Sequence, residues 1–449
     1  MLPVIAALCA VGLASCTKSG HGGDDGESDG NDSDRMLLVL HIMPVDAGSV
    51  ITNAEVREMI GSLRIILLSD GIIECNQLIE FNGPGPFAAS QFKYDFTWTT
   101  FAGKKTVYII ANEGSVTNGL QFQLPDDDSG VLPKVPESLT ALLSSYKAVG
   151  KEGLGNAEAE ESCAELERAL KSICFEPDYT VEGGDIYLPY VSYYSPEEVE
   201  ALDIKRGDFL GEEAPYTLYL VPVATKFTFN FTNYRPNDVD INNITVSSAN
   251  GANFLMARVG EDDYTKLYGT SDDRSTWLPY YWIDWLARVS ESSHQNEEFD
   301  NNQNFNTKYG WISLYDIPKG DTPEPQRFIT AEKFRTVDKA VKTGAEGEDE
   351  DGTPGTLTLG PYYLPESRNV DTAGRLAYYL TLGLHDVTQT ADDDPKFENQ
   401  QIQNLNALFR NTRVIINVVM RQGDVRVYAE IAKWSEKTAN GWVVEGPEP

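Results

Sequence analysis

The chain has 449 residues, 69 acidic against 36 basic, and a formal net charge of −33. A field of that sign repels phosphate backbones, which sets nucleic-acid binding aside. Aromatic residues make up 10%, and nothing past the N-terminus reaches the roughly 18 unbroken apolar residues of a membrane helix, so β-structure is the expectation.

The first element is an apolar run, Met1 to Gly12, closing on Leu13-Ala14-Ser15-Cys16. Small residues ahead of a cysteine after an apolar stretch match what a lipoprotein signal peptidase reads. Residues 1–15 are therefore expected to be a signal peptide and Cys16 the acylated (palmitate-bearing) first residue of an exported, membrane-anchored chain. Residues 16–34 contain SGHGGDDGESDGNDSD, an acidic, glycine-rich tether with nothing to join a core. The same stretch suits a surface-export signal.

Strands follow. Met36-Leu-Leu-Val-Leu-His-Ile-Met43 is apolar on both faces and predicts a buried strand. Leu63-Arg-Ile-Ile-Leu-Leu68 runs to a turn at Ser69-Asp70-Gly71 and on into Ile72-Ile73. Phe92 to Trp98 alternates as a half-exposed strand does, and Thr106 to Ala111 forms another that stops at Asn112. A helical interlude spans about Pro136 to Ile173, before strands resume at Asp185 to Leu188 and Tyr216 to Val223. Cys163 and Cys174, if on one continuous helix, stand about 16 Å apart along its axis, too far for a disulfide. With Cys75 they make an odd set of three, expected to be buried free thiols.

A boundary is expected near Ala224, dividing residues 35–224 from residues 225–449. Beyond it Lys226 to Thr232 alternates cleanly, and Asn242 to Ser247 begins a further strand. Residues 276–309 are mixed in character and are expected to be an insertion. Gly344 to Gly355 is an acidic loop, and strands return at Leu376 to Leu382, Thr412 to Met420 and Asp424 to Ile431. Many short strands and one helical interlude imply a mainly β fold of two β-sandwiches in series.

Little here points to catalysis. His41, His294 and His385 are far apart, and no zinc spacing, phosphate loop or G-x-S-x-G elbow is present. Asp238-Val-Asp240-Ile-Asn242 and Asp392-Asp-Asp394 carry oxygen ligands but lack a full calcium loop, and solvated loops are expected there. No metal or cofactor is expected. Trp277, Trp282 and Trp285, with Trp311, form an aromatic patch, suited either to packing the insertion on its own sandwich or to stacking on a sugar or partner.

Four segments in shared order resemble the fimbrillin superfamily of Bacteroidetes, the lipoprotein-derived subunits of type V pili. They are Leu63-Arg-Ile-Ile-Leu-Leu-Ser-Asp-Gly71 after the lipobox and first strand, Phe101-Ala-Gly-Lys-Lys-Thr-Val-Tyr-Ile-Ile-Ala-Asn112, Pro361-Tyr-Tyr-Leu-Pro-Glu366, and Arg410-Asn-Thr-Arg413 with Trp434 beyond it. Pro222-Val-Ala-Thr-Lys226 adds a weaker match. The resemblance implies transthyretin-like, Greek-key sandwiches in a non-enzymatic subunit of a surface fimbrium anchored in the outer membrane through Cys16. It also implies donor-strand exchange, in which an arginine-specific protease removes the first strand and a C-terminal strand of the next subunit fills the groove.

On this chain Leu37 to Met43 would be the removable strand and Arg57 the cleavage point. Arg57 equally suits a surface position in a short turn capped by Asn53, in an uncleaved anchor subunit. Val425 to Ile431 or Gly441 to Glu445 would be the donor. Partners are then other pilus subunits, the outer membrane and a host protein or glycan, with stalk, tip and anchor rank left open. The competing class is a surface polysaccharide-binding lipoprotein using the tryptophan patch.

Overall fold

The computed structural model describes residues 35–44, 58–81, 86–122, 136–177, 187–194, 202–204, 216–250, 253–256, 258–259, 311–312, 329–334, 339–341, 355–365, 378–386, 396–402, 405, 408, 410–422 and 424–433. Among them the fold is mainly β, as the sequence leads one to expect, with two α-helices.

The first half holds β1 (Arg35–Pro44), β2 (Ser62–Ser69), β3 (Ile72–Glu80), β4 (Tyr94–Phe101), β5 (Gly103–Ala111), α1 (Leu139–Ser145), α2 (Ala157–Ser172), β6 (Ile173–Phe175), β7 (Tyr190–Tyr194) and β8 (Tyr216–Pro222). The long sheet runs β3-β2-β5-β7-β8-β1-β4. β8 joins its two wings. Its first half lies parallel to β1, from Leu40↔Tyr216 to Pro44↔Leu220, and its end pairs antiparallel with β7 through Val191↔Val221 and Tyr190↔Pro222. The sheet folds over, so that Leu38, Leu40 and Ile42 of β1 share one core with Leu63, Ile65 and Leu67 of β2 and Val107 and Ile109 of β5.

The other face of β2 and β5 is covered by the helices. Ile66, Leu68, Tyr108 and Ile110 pack there against Leu142 and Leu143 of α1 and Leu166 and Leu170 of α2. Burial on both faces is why Ile65 to Leu68 and Val107 to Ala111 read as continuous apolar runs. Each helix starts on a side-chain cap, Ser138 accepting from the Ala141 N–H at 3.1 Å and Asn156 from the Glu158 N–H at 2.9 Å.

Several expectations need correction. β1 is not buried on both faces: Leu38, Leu40 and Ile42 are 0–1% exposed, while Leu37 is 44% exposed. Among the described residues no layer covers its outer side as the helices cover β2, so the alternation reasserts itself. The helical interlude is two helices, and α2 ends at Ser172. Ile173 is extended because β6 pairs with Gln121–Phe122 and Asn253–Phe254, and Cys174 therefore lies on a strand. Cys75, Cys163 and Cys174 are buried free thiols, as expected. Leu188 is not in a strand; its carbonyl is taken by the Asn112 side chain, and β7 begins at Tyr190. Asp240 and Asn242 sit on a long strand rather than in a loop, between fully buried Val239, Ile241 and Ile244. Asp392 to Asp394 lie outside the described residues.

Only Val223 and Ala224 separate β8 from β9 (Thr225–Asn233), which opens the second half with β10 (Val239–Asn250), β11 (Ile329–Phe334), β12 (Gly355–Leu364), β13 (Tyr379–Asp386), β14 (Lys396–Gln401), β15 (Thr412–Arg421) and β16 (Asp424–Lys433). Sheet β12-β9-β15-β16 and sheet β11-β10-β13-β14 enclose a second core. Phe227, Phe229 and Phe231 with Val414, Ile416 and Val418 meet Ile241, Ile244 and Val246 with Leu380, Leu382 and Leu384. The solvent face of the first sheet carries a transverse polar ladder, Thr358–Asn230–Asn417–Glu430, with steps of 3.0, 3.3 and 3.1 Å.

The two cores interlock. Leu255 and Met256, which follow β10, pack in the helical layer of the first half, and Tyr363 of β12 enters its main core. Arg410 donates to the carbonyls of Leu255 and Phe254, both at 2.8 Å, and the Asn411 N–H reaches the Ala224 carbonyl at 2.9 Å.

Candidate functional site: the first strand and its seat

β1 lies between two strands of different direction. β4 is antiparallel over Arg35↔Phe101 to Ile42↔Tyr94, and β8 is parallel over Leu40 to Pro44. Both edges of β1 are thus used, and its inward side chains fill three fully buried positions. Burying three such aliphatic side chains contributes on the order of 1.5–3 kcal/mol each. Outward, His41 Nδ1 pairs with Asp95 Oδ1 directly across the ladder to β4. Leu37 is among the few exposed large apolar residues described.

One end of this half-sandwich is held by a buried lysine. Lys105 of β5, fully buried, donates to Glu74 of β3 at 2.8 Å and to Ser69 of β2, and its ammonium lies 3.9 Å from the Phe101 ring centroid. Desolvation lowers its pKa, and the bond to Glu74 opposes that shift. Gly103, at φ +142°, allows the turn to close, since that backbone conformation is strained for any residue with a Cβ. The segment singled out around Gly103 thus has a structural role.

A second buried ion pair fixes α1. Arg64 of β2 grips Glu113 with two bonds, Nε–Oε2 at 2.5 Å and Nη2–Oε1 at 2.8 Å, and also donates to Asn76 (2.7 Å) and Ser144 (3.1 Å). Asn76 then donates to the carbonyls of Leu143 and Tyr146 at the end of α1. The sign in the sequence was a lone arginine inside Leu63-Arg-Ile-Ile.

Glu58, the first described residue after Pro44, is 4% exposed. Its Oε1 accepts from Lys226 Nζ of β9 at 2.5 Å and from Tyr363 OH of β12 at 2.8 Å. Met59–Ile60 pairs with Phe87–Ala88, and Ile60 is fully buried. Asn112, left-handed at φ 58°, donates to the carbonyls of Met59 (2.8 Å) and Leu188 (2.7 Å) and accepts from the Gly61 N–H (2.9 Å). In the sequence Asn112 marks a strand stop and closes the Phe101–Asn112 segment, Lys226 ends a weaker match, and nothing local distinguishes Glu58. Only tertiary contact joins residues so distant in the chain.

β16, one expected donor, pairs with β15 along its whole length and puts Val427 and Ala429 into the second core. Arg410 to Arg413 is structural: besides the bonds of Arg410, Arg413 donates to Thr228 Oγ1 at 3.1–3.2 Å. His41 and His385 lie on different sheets, and His294 is outside the described residues. Cys16, Arg57, Trp277, Trp282, Trp285, Trp434 and residues 441–445 also lie outside them. Among the described residues no cluster of three His, Cys, Asp or Glu is placed to hold a metal, and no helix is long and apolar enough to cross a membrane.

No protein-family model and no curated protein matches the chain. Among solved structures it is similar to the tip fimbrial protein of Porphyromonas gingivalis, with 10% identity, 89% of this chain and 100% of that one covered, and a TM-score of 0.40. A fimbrial assembly protein from Parabacteroides distasonis matches with 10% identity, coverage of 89% and 100%, and a TM-score of 0.37. A fimbrilin from Porphyromonas gingivalis matches with 10% identity, coverage of 89% and 98%, and a TM-score of 0.37.

Proposed function

We propose that this chain is a non-enzymatic subunit of a surface fimbrium. It is delivered as a lipoprotein anchored in the outer membrane through Cys16 and assembles by exchanging its first strand. Cleavage at Arg57 frees β1 with the lipid, and a strand from a neighbouring subunit takes its place. Division of the chain at Ala224 into two units, with residues 276–309 as an insertion, belongs to the same reading.

The observation that carries it is the seat of β1. This strand supplies Leu38, Leu40 and Ile42 to a core made otherwise by later strands, and it is bonded on both edges by β4 and β8. Its departure would leave an apolar groove with two unsatisfied strand edges, which an extended segment with alternating aliphatic side chains fits. A head-to-tail contact of that kind does not close on itself and grows as a filament.

The test is to treat the purified full chain with an arginine-specific protease, sequence the new N-terminus and image the product by electron microscopy. The expected product begins at Glu58 and forms filaments or a ladder of oligomers. A chain cut at Arg57, freed of residues 1–57 and still monomeric at high concentration would sink strand exchange. Glycan binding abolished by Trp282→Ala in that monomer would favour the polysaccharide-binding alternative.

A further inference from the structure

The residue that follows the proposed cleavage point is tied to two partners far along the chain. Glu58 is held by Lys226 and Tyr363, which belong to the second half of the chain, and Met59 to Gly61 are held by Asn112 and by pairing with Phe87–Ala88. Side-chain exposure is 6% for Glu58 and 12% for Lys226. The Gly61 carbonyl accepts from the Phe81 N–H at 2.9 Å, and a Cβ on Gly61 would lie 3.1 Å from the Tyr187 ring.

A protease takes several residues on each side of the bond into its cleft in extended form. On the C-terminal side of the bond Glu58 and Ile60 are buried, Met59 and Gly61 half-buried, and all four residues are bonded or paired, so they cannot enter a cleft while these contacts stand. Cleavage must then proceed through local opening, at a rate set by how much of the time the segment is open.

We propose that the Glu58–Lys226–Tyr363 cluster is a latch that controls proteolytic release of β1. The inference rests on the reading of Arg57 as the cleavage point. Two of the three latch groups come from β9 and β12, so the latch forms only when the second half has folded onto the first. A fully folded precursor is thereby protected, and its conversion is slow and governed by opening of the joint. Breaking one partner of a buried ion pair leaves the other charge uncompensated, which favours the open segment.

Lys226→Met and Tyr363→Phe test this without altering the residues next to the bond. Full-length wild type and variants are digested with an arginine-specific protease, and the rate of appearance of the Glu58 N-terminus is followed by mass spectrometry. The rate in urea gives the intrinsic reactivity of the bond. Wild type is expected to be cut far more slowly when folded than in urea. Both variants are expected to be cut faster when folded, Lys226→Met by about tenfold or more, with amide exchange at Met59 to Gly61 accelerated in parallel. Should Lys226→Met fail to fold, Tyr363→Phe, which removes one hydroxyl, decides. Variants cut at the wild-type rate, or folded wild type cut as fast as in urea, overturn the latch. Failure of the cut chain to form filaments bears on strand exchange alone.

Discussion

Cys75 and Cys163 show how much a side chain's chemistry depends on where it lands. Burial is the main cause that pushes each thiol from 9.0 up to about 12, with Glu74 and Glu167 adding to it. A thiol whose pKa is raised in the fold contributes stability that is fully present below the unfolded value and lost as pH rises through the folded one. Unfolding stability is therefore expected to hold up to about pH 9 and to fall towards about pH 12, and Tyr146, also pushed up to about 12, acts in the same direction. Lys105 opposes this, since its lowered pKa makes the unfolded state bind more protons and stability rise with pH below 10.5. Urea midpoints against pH, with Cys75→Ala flattening the alkaline fall, check the sign. At neutral pH a maleimide should label both thiols only after unfolding. Labelling mapped to Cys75 or Cys163 in the native chain would contradict their burial.

At the scale of elements, β1 separates two faces that composition alone makes look alike. Leu40 is fully buried against β2 and β5, while Leu37 stands on the open side. Leu40→Ala is expected to cost about 2–5 kcal/mol, whereas Leu37→Ala should stay within about 0.5 kcal/mol. Denaturant unfolding of the two variants measures the difference. Equal effects would mean that β1 is covered on both sides. β2 and β5 behave differently because α1 and α2 roof their second face; the sequence makes them legible as strands, while their burial on both faces depends on those helices. β9 was legible for the opposite reason: its strict alternation places Phe227, Phe229 and Phe231 inward and polar residues outward. The end of α2 was not legible, because pairing of β6 with residues far along the chain overrides helical propensity there.

For the whole molecule the decisive feature is the interlock between cores. Arg410, in a segment that sequence similarity alone singled out, holds the Phe254–Leu255 carbonyls, and Leu255 is buried in the helical layer of the first half. Coupling of this kind predicts one cooperative thermal transition for the wild type. Arg410→Ala removes both bonds, each worth about 1–3 kcal/mol to the buried carbonyls it serves. Calorimetry of that variant should show the transition lowered and split or broadened. Two separate transitions already present in the wild type would mean that the interlock couples little.

Taken alone, the sequence determined the mainly β class, most strand cores and the three buried thiols, because each follows from local periodicity or from apolar composition within one element. It also carried the lipobox and the order of segments behind the fimbrillin resemblance. Tertiary structure alone decided which face of β1 is buried, the parallel seat against β8, and the partnership of Glu58 with Lys226 and Tyr363. Those depend on what lies across a gap of tens to hundreds of residues. A buried charge becomes a latch, an orphan or a structural pin only according to the neighbour that the fold brings to it.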